Sequence, residues 1–482
     1  MKYLQIVYLV IFLCCFSLRS QNKQLLYDFN EVPQSLLLNP GMSTSYKWYS
    51  GIPIISGVAL QVASSGVTVN DLLANDGIDF NTKLREKVVY GLTFRDELSG
   101  TYQIDIINAG YRSRKNENVF YSFGAYNEGD WIGYFFKDYA LLAFDGNTNN
   151  INKKFDLSHL KTRGEILNVY HFGINKKISN QFSLGVRAKL YSSFVNFNTT
   201  KNSGYFLTTQ GQNNILRNTL VADLEIRTSG IFEIKDILDN DDIDNGSGIS
   251  SILTTRALLG GNLGLGFDLG FTYNLNEKTA ITGSLLDLGF IYHNKDVRTY
   301  SLKGTASTEG IEVILPDDLA NSGEDQWQNL VDDLESLVAY EVNNKNYISF
   351  RPTKLNASIR YGFGKEIESR QICNCTSKIG GNSGRIFKNS IGGQIYVINR
   401  PRGPQTAITA FYQHRFGNAM SFKTTYTVDK YSFDNVGFGG SIQAGAVNMY
   451  LMADNLLSYM NIFNSHYASV QFGINIISWD KK

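Results

Sequence analysis

The side chains of this 482-residue chain that could do chemistry are few, and they are widely spread. His159, His171, His293, His414 and His466 each lack a second His or a Cys at metal-ligand spacing. No nucleophile elbow, phosphate loop or zinc helix is present. Gly264-Leu265-Gly266 sits inside a strand-like run, where small residues let an opposite wall or a plug approach closely, and not at a strand-to-helix turn. The sequence therefore predicts no catalytic residues, no metal and no cofactor, and it leaves the ligand unassigned. Cys373-Asn374-Cys375 could close a small, strained disulfide ring in an oxidising compartment. A local staple in a periplasmic loop is the favoured reading over a redox centre. The remaining candidates are charges: Arg187, Lys189, Arg360, Arg415 and Lys423 fall on the polar face of alternating segments, with Asp268 as a counter-charge. Inward charges of this kind could select anions in an open pore. They could also stiffen a salt-bridged, water-bearing lumen, and fourteen strands are few for a wide channel, which favours the second use.

The elements that carry these charges are strands. From Asn262 to Asn274, Leu263, Leu265, Phe267, Leu269, Phe271 and Tyr273 alternate with Gly264, Gly266, Asp268, Gly270, Thr272 and Asn274. A period of two puts one set on each face of an extended strand. Similar alternation occupies 57–66, 103–112, 118–126, 168–177, 182–194, 262–275, 278–291, 354–363, 389–398, 405–416, 418–428, 434–445, 446–454 and 467–478. Each run is near the nine to eleven residues that a tilted membrane strand needs. The expected fold is all-β: a transmembrane antiparallel barrel of about 14 strands (12–16), with long extracellular loops containing short helices. A soluble secreted β-protein is the competing fold, since a sandwich also alternates.

The start of the chain fits this reading. Lys2, an apolar run from Ile6 to Leu18, and Arg19-Ser20 before Gln21 have the layout of a secretory signal over 1–20. Cys14 and Cys15 do not follow the small residues of a lipoprotein cleavage site. No later run is apolar enough for a membrane helix, so insertion must use strands. Without Lys2 and Arg19 the basic residues no longer outnumber the 44 acidic ones, which argues against a nucleic-acid partner. Residues 21–50 are assigned to a periplasmic amino-terminal segment and 51–482 to a single barrel domain. Short links alternate with long ones, apart from an unexpectedly long 364–388 and two short outer links, 399–404 and 429–433. An even strand count then puts both termini on the periplasmic side of the outer membrane.

The long loops hold elements of their own. Ser322 followed by Glu324 and Asp325 reads as a helix start. Trp327, Leu330, Val331, Leu334, Leu337 and Val338 then share one helical face, which could pack on the barrel mouth or dock a partner. Asn70–Val88 is a weaker helical stretch, and the region around Leu220–Ile226 reads as a hairpin above the membrane. Leu286-Asp287-Leu288-Gly289 and Ala453-Asp454-Asn455-Leu456 place two Asp residues near the expected outer rim, where a carboxylate accepts bonds from loop amides.

Gln34-Ser35-Leu36-Leu37-Leu38-Asn39-Pro40-Gly41, Gly51-Ile52-Pro53, Asn70-Asp71-Leu72-Leu73, Leu286–Gly289, Arg351-Pro352-Thr353-Lys354-Leu355 and Ala453–Leu456 together resemble a family of uncharacterised outer-membrane barrels from Bacteroidota. Asn39-Pro40 is also similar to the Asn-Pro-Ala stretch of the PorP/SprF proteins of type IX secretion and gliding, with Gly41 in place of that Ala. More distantly, fourteen strands resemble the FadL/PorV barrels. The resemblance implies location and fold, no catalytic residues, and an amino-terminal packing element at Asn39 and Pro40 near the periplasmic mouth. The leading functional expectation is a non-enzymatic scaffold in envelope assembly or type IX-linked surface-protein secretion, with outer-membrane lipid and other envelope or secretion proteins as partners. The alternative is an outer-membrane transporter for a hydrophobic or small solute.

Overall fold

Alternation of apolar and small or polar residues produces fourteen strands in a closed antiparallel ring, seen in a computed structural model. The structure describes residues 23–211, 216–239, 245–309, 340–367, 386–431, 435–456 and 462–479. The signal segment, Cys373 and Cys375, and the face from Trp327 to Val338 lie outside the described residues.

The strands are β1 (Trp48–Gly51 and Val58–Ser64), β2 (Glu97–Arg112), β3 (Val119–Tyr134), β4 (Thr162–Lys177), β5 (Phe182–Gln210), β6 (Asn262–Asn274), β7 (Thr279–His293), β8 (Tyr347–Phe350 and Lys354–Ile367), β9 (Ile386–Arg400), β10 (Gly403–Phe416), β11 (Met420–Val428), β12 (Asn435–Ala444), β13 (Val447–Asp454) and β14 (Tyr467–Ser478). Each pairs with the next, and β14 closes on β1 through Trp48↔Ser478 and Val58↔Phe472. Closure leaves the ring no free edge. All fourteen expected segments are strands.

Side chains sort as the period of two requires. Leu263, Leu265, Phe267 and Leu269 point outward and are about half exposed, whereas Asp268 between them is fully buried. Ile359, Ile391, Ile395, Leu451 and Phe472 continue the outward apolar band on other strands. Among the described residues this surface has no partner sheet, so it is the lipid face of an outer-membrane-type barrel and not half of a sandwich. Among the same residues no helix is long and apolar enough to cross a membrane.

Two strands are interrupted without opening the wall. Between the halves of β1, Ile54 takes a positive φ of 72° and turns outward, while Ser56 is fully buried. Bonds from Ile54 N to Asp105 O and from Ile474 N to Ile55 O keep both seams shut. In β7 the register shifts between Leu285 and Leu288, and Asp287 has φ 59°. This bulge turns both Leu286 and Asp287 inward. Across from it, β8 breaks at Arg351-Pro352-Thr353, where Pro352 has no amide hydrogen to give a ladder.

β5 continues far past what a bilayer needs. Phe182–Ser193 pairs with β6, and Asn196–Gln210 pairs with Leu216–Ser229. Val297–Glu309 and Tyr340–Asn343 extend that sheet beyond the ring. Phe155, Leu157, Phe206, Leu220 and Ala222 form its apolar core, roofed by Tyr139 and Leu142. The hairpin expected around Leu220–Ile226 is part of this sheet. The stretch 70–88 is helical in two pieces, a short helix at Val69–Leu73 and a second running from Phe80–Lys83 into the π-helix Leu84–Tyr90.

The amino-terminal segment departs from expectation. Residues 23–46 enter the lumen as a plug and do not form a separate periplasmic piece over 21–50; the first strand begins at Trp48. Leu25, Leu26, Phe29 and Val32 pack on Tyr450 and Met452, and Leu36, Met42 and Tyr46 pack on Tyr49, Phe120 and Ile477. Burial of these side chains inside the ring is the physical reason the segment does not stay outside.

Candidate functional site: the plugged lumen

The plug lies on a floor made by missing side chains. Gly185 of β5 and Gly270 of β6 stand directly opposite each other. A Cβ on Gly185 would lie 1.9 Å from Pro40 O, and one on Gly270 would lie 2.2 Å from Asn39 Oδ1. Asn175 Nδ2 donates to Pro40 O at 2.7 Å and to Met42 O at 2.8 Å, and Asn39 Nδ2 donates to Phe271 O at 3.1 Å. Asn39 and Pro40 therefore touch the wall close to the mouth that carries the short turns, beside the start of β5 at Phe182.

Every basic residue expected on the lumen face is directed inward, and each meets the plug or an acid. Arg187 donates through Nε to Asp268 Oδ2 at 2.7 Å, and through its two terminal nitrogens to Leu36 O at 2.9 Å and Leu37 O at 2.6 Å. Lys189 bridges Asp268 at 2.9 Å and Asp287 at 2.6 Å. Arg360 pairs with Asp28 of the plug at 2.8 Å. Arg415 pairs with Glu31, whose other oxygen accepts from Gln413 at 2.9 Å. Lys423 donates to Tyr27 O at 2.6 Å. Asp268, Arg187 and Lys423 are essentially inaccessible to solvent.

The counter-charges are mostly invisible in the sequence. Asp28 and Glu31 lie in a segment without strand periodicity, and Glu128, Asp130, Glu165, Arg351 and Arg400 meet only through closure of the ring. One signal exists: Asp287, Arg351 and Lys354 belong to the two short motifs Leu286–Gly289 and Arg351–Leu355. The structure joins them, with Lys354 Nζ 2.8 Å from Asp287 Oδ2 and Arg351 N donating to Gly289 O at 2.9 Å. Asp287 consequently receives ammonium donors inside the barrel and not loop amides at the rim. Asp454 does lie at a strand end, accepting from Ser469 Oγ at 2.6 Å.

Above the plug, a second set of ion pairs crosses the lumen. Arg351 on β8 reaches Glu128 on β3 and Glu165 on β4. Arg400 at the end of β9 reaches Asp130 on β3. Glu97 of β2 takes Lys430 at 2.7 Å, Gln405 at 2.8 Å and Tyr431 Oη at 2.7 Å. These contacts tie the β2–β4 wall to the β8–β11 wall on the loop side. Between them and the plug remains a chamber of about 50 Å³ lined by both charged and apolar side chains, space for a handful of waters. The lumen is thus closed at two levels.

The profile of a protein family described as "Family of unknown function (DUF5723)" matches residues 40–454. The chain belongs to that family. No curated protein matches the sequence. Among solved structures, the chain is similar to the Ralstonia pickettii toluene transporter TbuX, with 8% identity, a TM-score of 0.37 and 92% of each chain covered. It is similar to a mutant of the TodX monoaromatic hydrocarbon channel, with 9% identity, a TM-score of 0.38, and 96% of this chain and 95% of that one covered. A Pseudomonas aeruginosa FadL homologue gives 7% identity, a TM-score of 0.36 and 90% of each chain covered. Likeness of that degree carries nothing about the site. Among the described residues no group of three or more His, Cys, Asp or Glu side chains is arranged to hold a metal ion. His293 instead lies between Ser229 Oγ at 2.7 Å and Ser349 Oγ at 2.8 Å.

Proposed function

We propose that this protein is a non-enzymatic outer-membrane transporter for a small polar solute, closed at rest by its own amino-terminal segment. The observation that carries the reading is the chamber, with Lys23, Lys189, Lys354, Glu128, Asp130 and Asp287 in its lining, held between the plug and the cross-lumen ion pairs. Buried ion pairs stabilise a fold no better than well-packed apolar side chains of similar volume. A barrel needing only rigidity could fill its lumen with apolar groups. Acids and bases on facing walls are instead suited to exchanging partners with water and with a passing solute. The charged side chains in the lining are what a small polar solute would meet, so the solute proposed is polar. By the usual arrangement of such barrels, the mouth with the short turns is periplasmic.

Liposome swelling tests this reading. Vesicles containing the chain without residues 23–42 and with Arg351 and Arg400 replaced by Gln should swell in isotonic glycine or a pentose faster than empty vesicles, and the intact chain should swell them only slowly. Swelling equal to empty vesicles for both proteins would overturn it.

A second reading, a scaffold for envelope assembly or surface-protein secretion, is favoured by one feature. The sheet formed by the far half of β5, Leu216–Ser229, Val297–Glu309 and Tyr340–Asn343 stands well beyond the ring, and transport does not require it. Co-purification of the same envelope protein with the intact chain, lost on shortening that sheet, would support the scaffold.

A further inference from the structure

Among the described residues that line it, the chamber contains one cation that makes no direct ion pair, Lys23, although Glu128 and Asp287 share the same lining. Glu128 is engaged by Arg351, Asp130 by Arg400, and Asp287 by Lys189 and Lys354. Lys23, at the start of the plug, also lines the chamber, and its ammonium donates to the side-chain oxygen of Gln103. Among the described residues no carboxylate lies within ion-pair distance of it. Gln103 passes the polarity on by donating to Asp105 Oδ1 at 2.8 Å, one residue removed from the chamber. A sequestered ammonium with a neutral amide as its partner is costly unless an anion joins it.

The same space is shaped for such a guest. Lys354 lines it, and the buried Gln471 and Tyr126 bring an amide and a phenol to its walls. Its volume of about 50 Å³ suits a solute of a few heavy atoms. We infer that the chamber is a binding site for a small carboxylate-class monoanion, held by Lys23 with amide and phenol donors around it. The proposal deepens the transporter reading by naming its solute class, and it rests on that reading only for the steps after binding.

Saturation-transfer NMR on the full mature chain in detergent tests it, with acetate as probe and acetamide as its uncharged isostere. Acetate should show transfer that formate competes away, and acetamide should show little. Lys23→Gln should weaken acetate at least tenfold, Lys23→Arg should restore it, and Gln103→Glu should abolish it by giving Lys23 a resident carboxylate. Equal signals for acetate and acetamide would overturn the proposal, as would acetate binding that survives Lys23→Gln. Protease resistance of residues 23–46 in each variant confirms that the plug is in place. Binding is measured at equilibrium on the closed protein, so a barrel that binds acetate but does not transport refutes the gate and leaves the site standing.

Discussion

Gly185 and Gly270 face each other across the β5–β6 pair, and the backbone of Pro40 and Gly41 with the side chains of Asn39 and Pro40 occupies the space their side chains would fill. Gly270→Val should therefore push the plug off the wall at a cost of about 1–3 kcal/mol, the usual range for overfilling a packed site. A single cysteine at Ser35, buried in the native lumen, reports this. Maleimide should label it slowly in the native background and much faster with Gly270→Val. Equal rates would show that the glycine floor does not seat the plug.

Asp268 anchors both Arg187 and Lys189. Asp268→Asn leaves Arg187 buried without a carboxylate, so it should destabilise the barrel by about 3–5 kcal/mol. The double change Asp268→Leu with Arg187→Met should recover most of that loss. The temperature at which the folded band disappears in heat-modifiability gels measures both. A double variant as unstable as the single one contradicts the uncompensated-charge explanation.

The cross-lumen pairs predict controlled access from the loop side. With a cysteine at Gln471, a charged thiosulfonate added to that side should react slowly in the otherwise native chain. Combining Arg351→Gln and Arg400→Gln should raise the rate at least tenfold. If the rate is unchanged, these pairs do not close the loop-side mouth.

Much of this architecture is legible because β-barrel physics is written in a two-residue period. Phe267 outward and Asp268 inward follow from alternation alone, and so does each of the fourteen strands. Gly264 and Gly266, read as a place for an opposite wall or a plug, abut Phe290, Ile291 and Tyr191 of the neighbouring strands, and the plug lies instead on Gly270. The plug is not legible: Lys23–Tyr46 has no regular period, and it is fixed by partners on β4, β5, β8, β10 and β11 far away in sequence. For the same reason Arg187 and Asp268 can be read as lumen charges, whereas Arg351–Glu128 and Arg400–Asp130 cannot be paired before the ring is closed. The several-residue interruption around Ile54 and the one-residue bulge at Asp287 also leave no trace in the alternation.

One loop titration has a definite sign. Thr68 caps the Val69–Leu73 turn, and the Thr68 amide and hydroxyl hydrogen-bond the Asp71 carboxylate at 2.8 and 2.7 Å. The backbone bond first, then the hydroxyl, hold its carboxyl below the usual carboxylate range. A carboxyl depressed on folding stabilises fully above its unfolded value of about 3.9, and the contribution disappears as pH falls through the folded value. Hydrogen exchange of residues 69–74, corrected for intrinsic rates, should show protection retained at neutral pH and lost in strong acid. Protection that is flat with pH would contradict the cap.

Single-channel conductance in planar bilayers tests the central claim, that the lumen is a transport path shut by its own plug, most directly. The intact chain should be silent or open only briefly. Deleting residues 23–42 together with Arg351→Gln and Arg400→Gln should give steady open steps, and Asp28→Asn with Glu31→Gln should give intermittent ones if the deletion does not fold. Steady steps from the intact protein, or silence from every folded variant, would contradict the account.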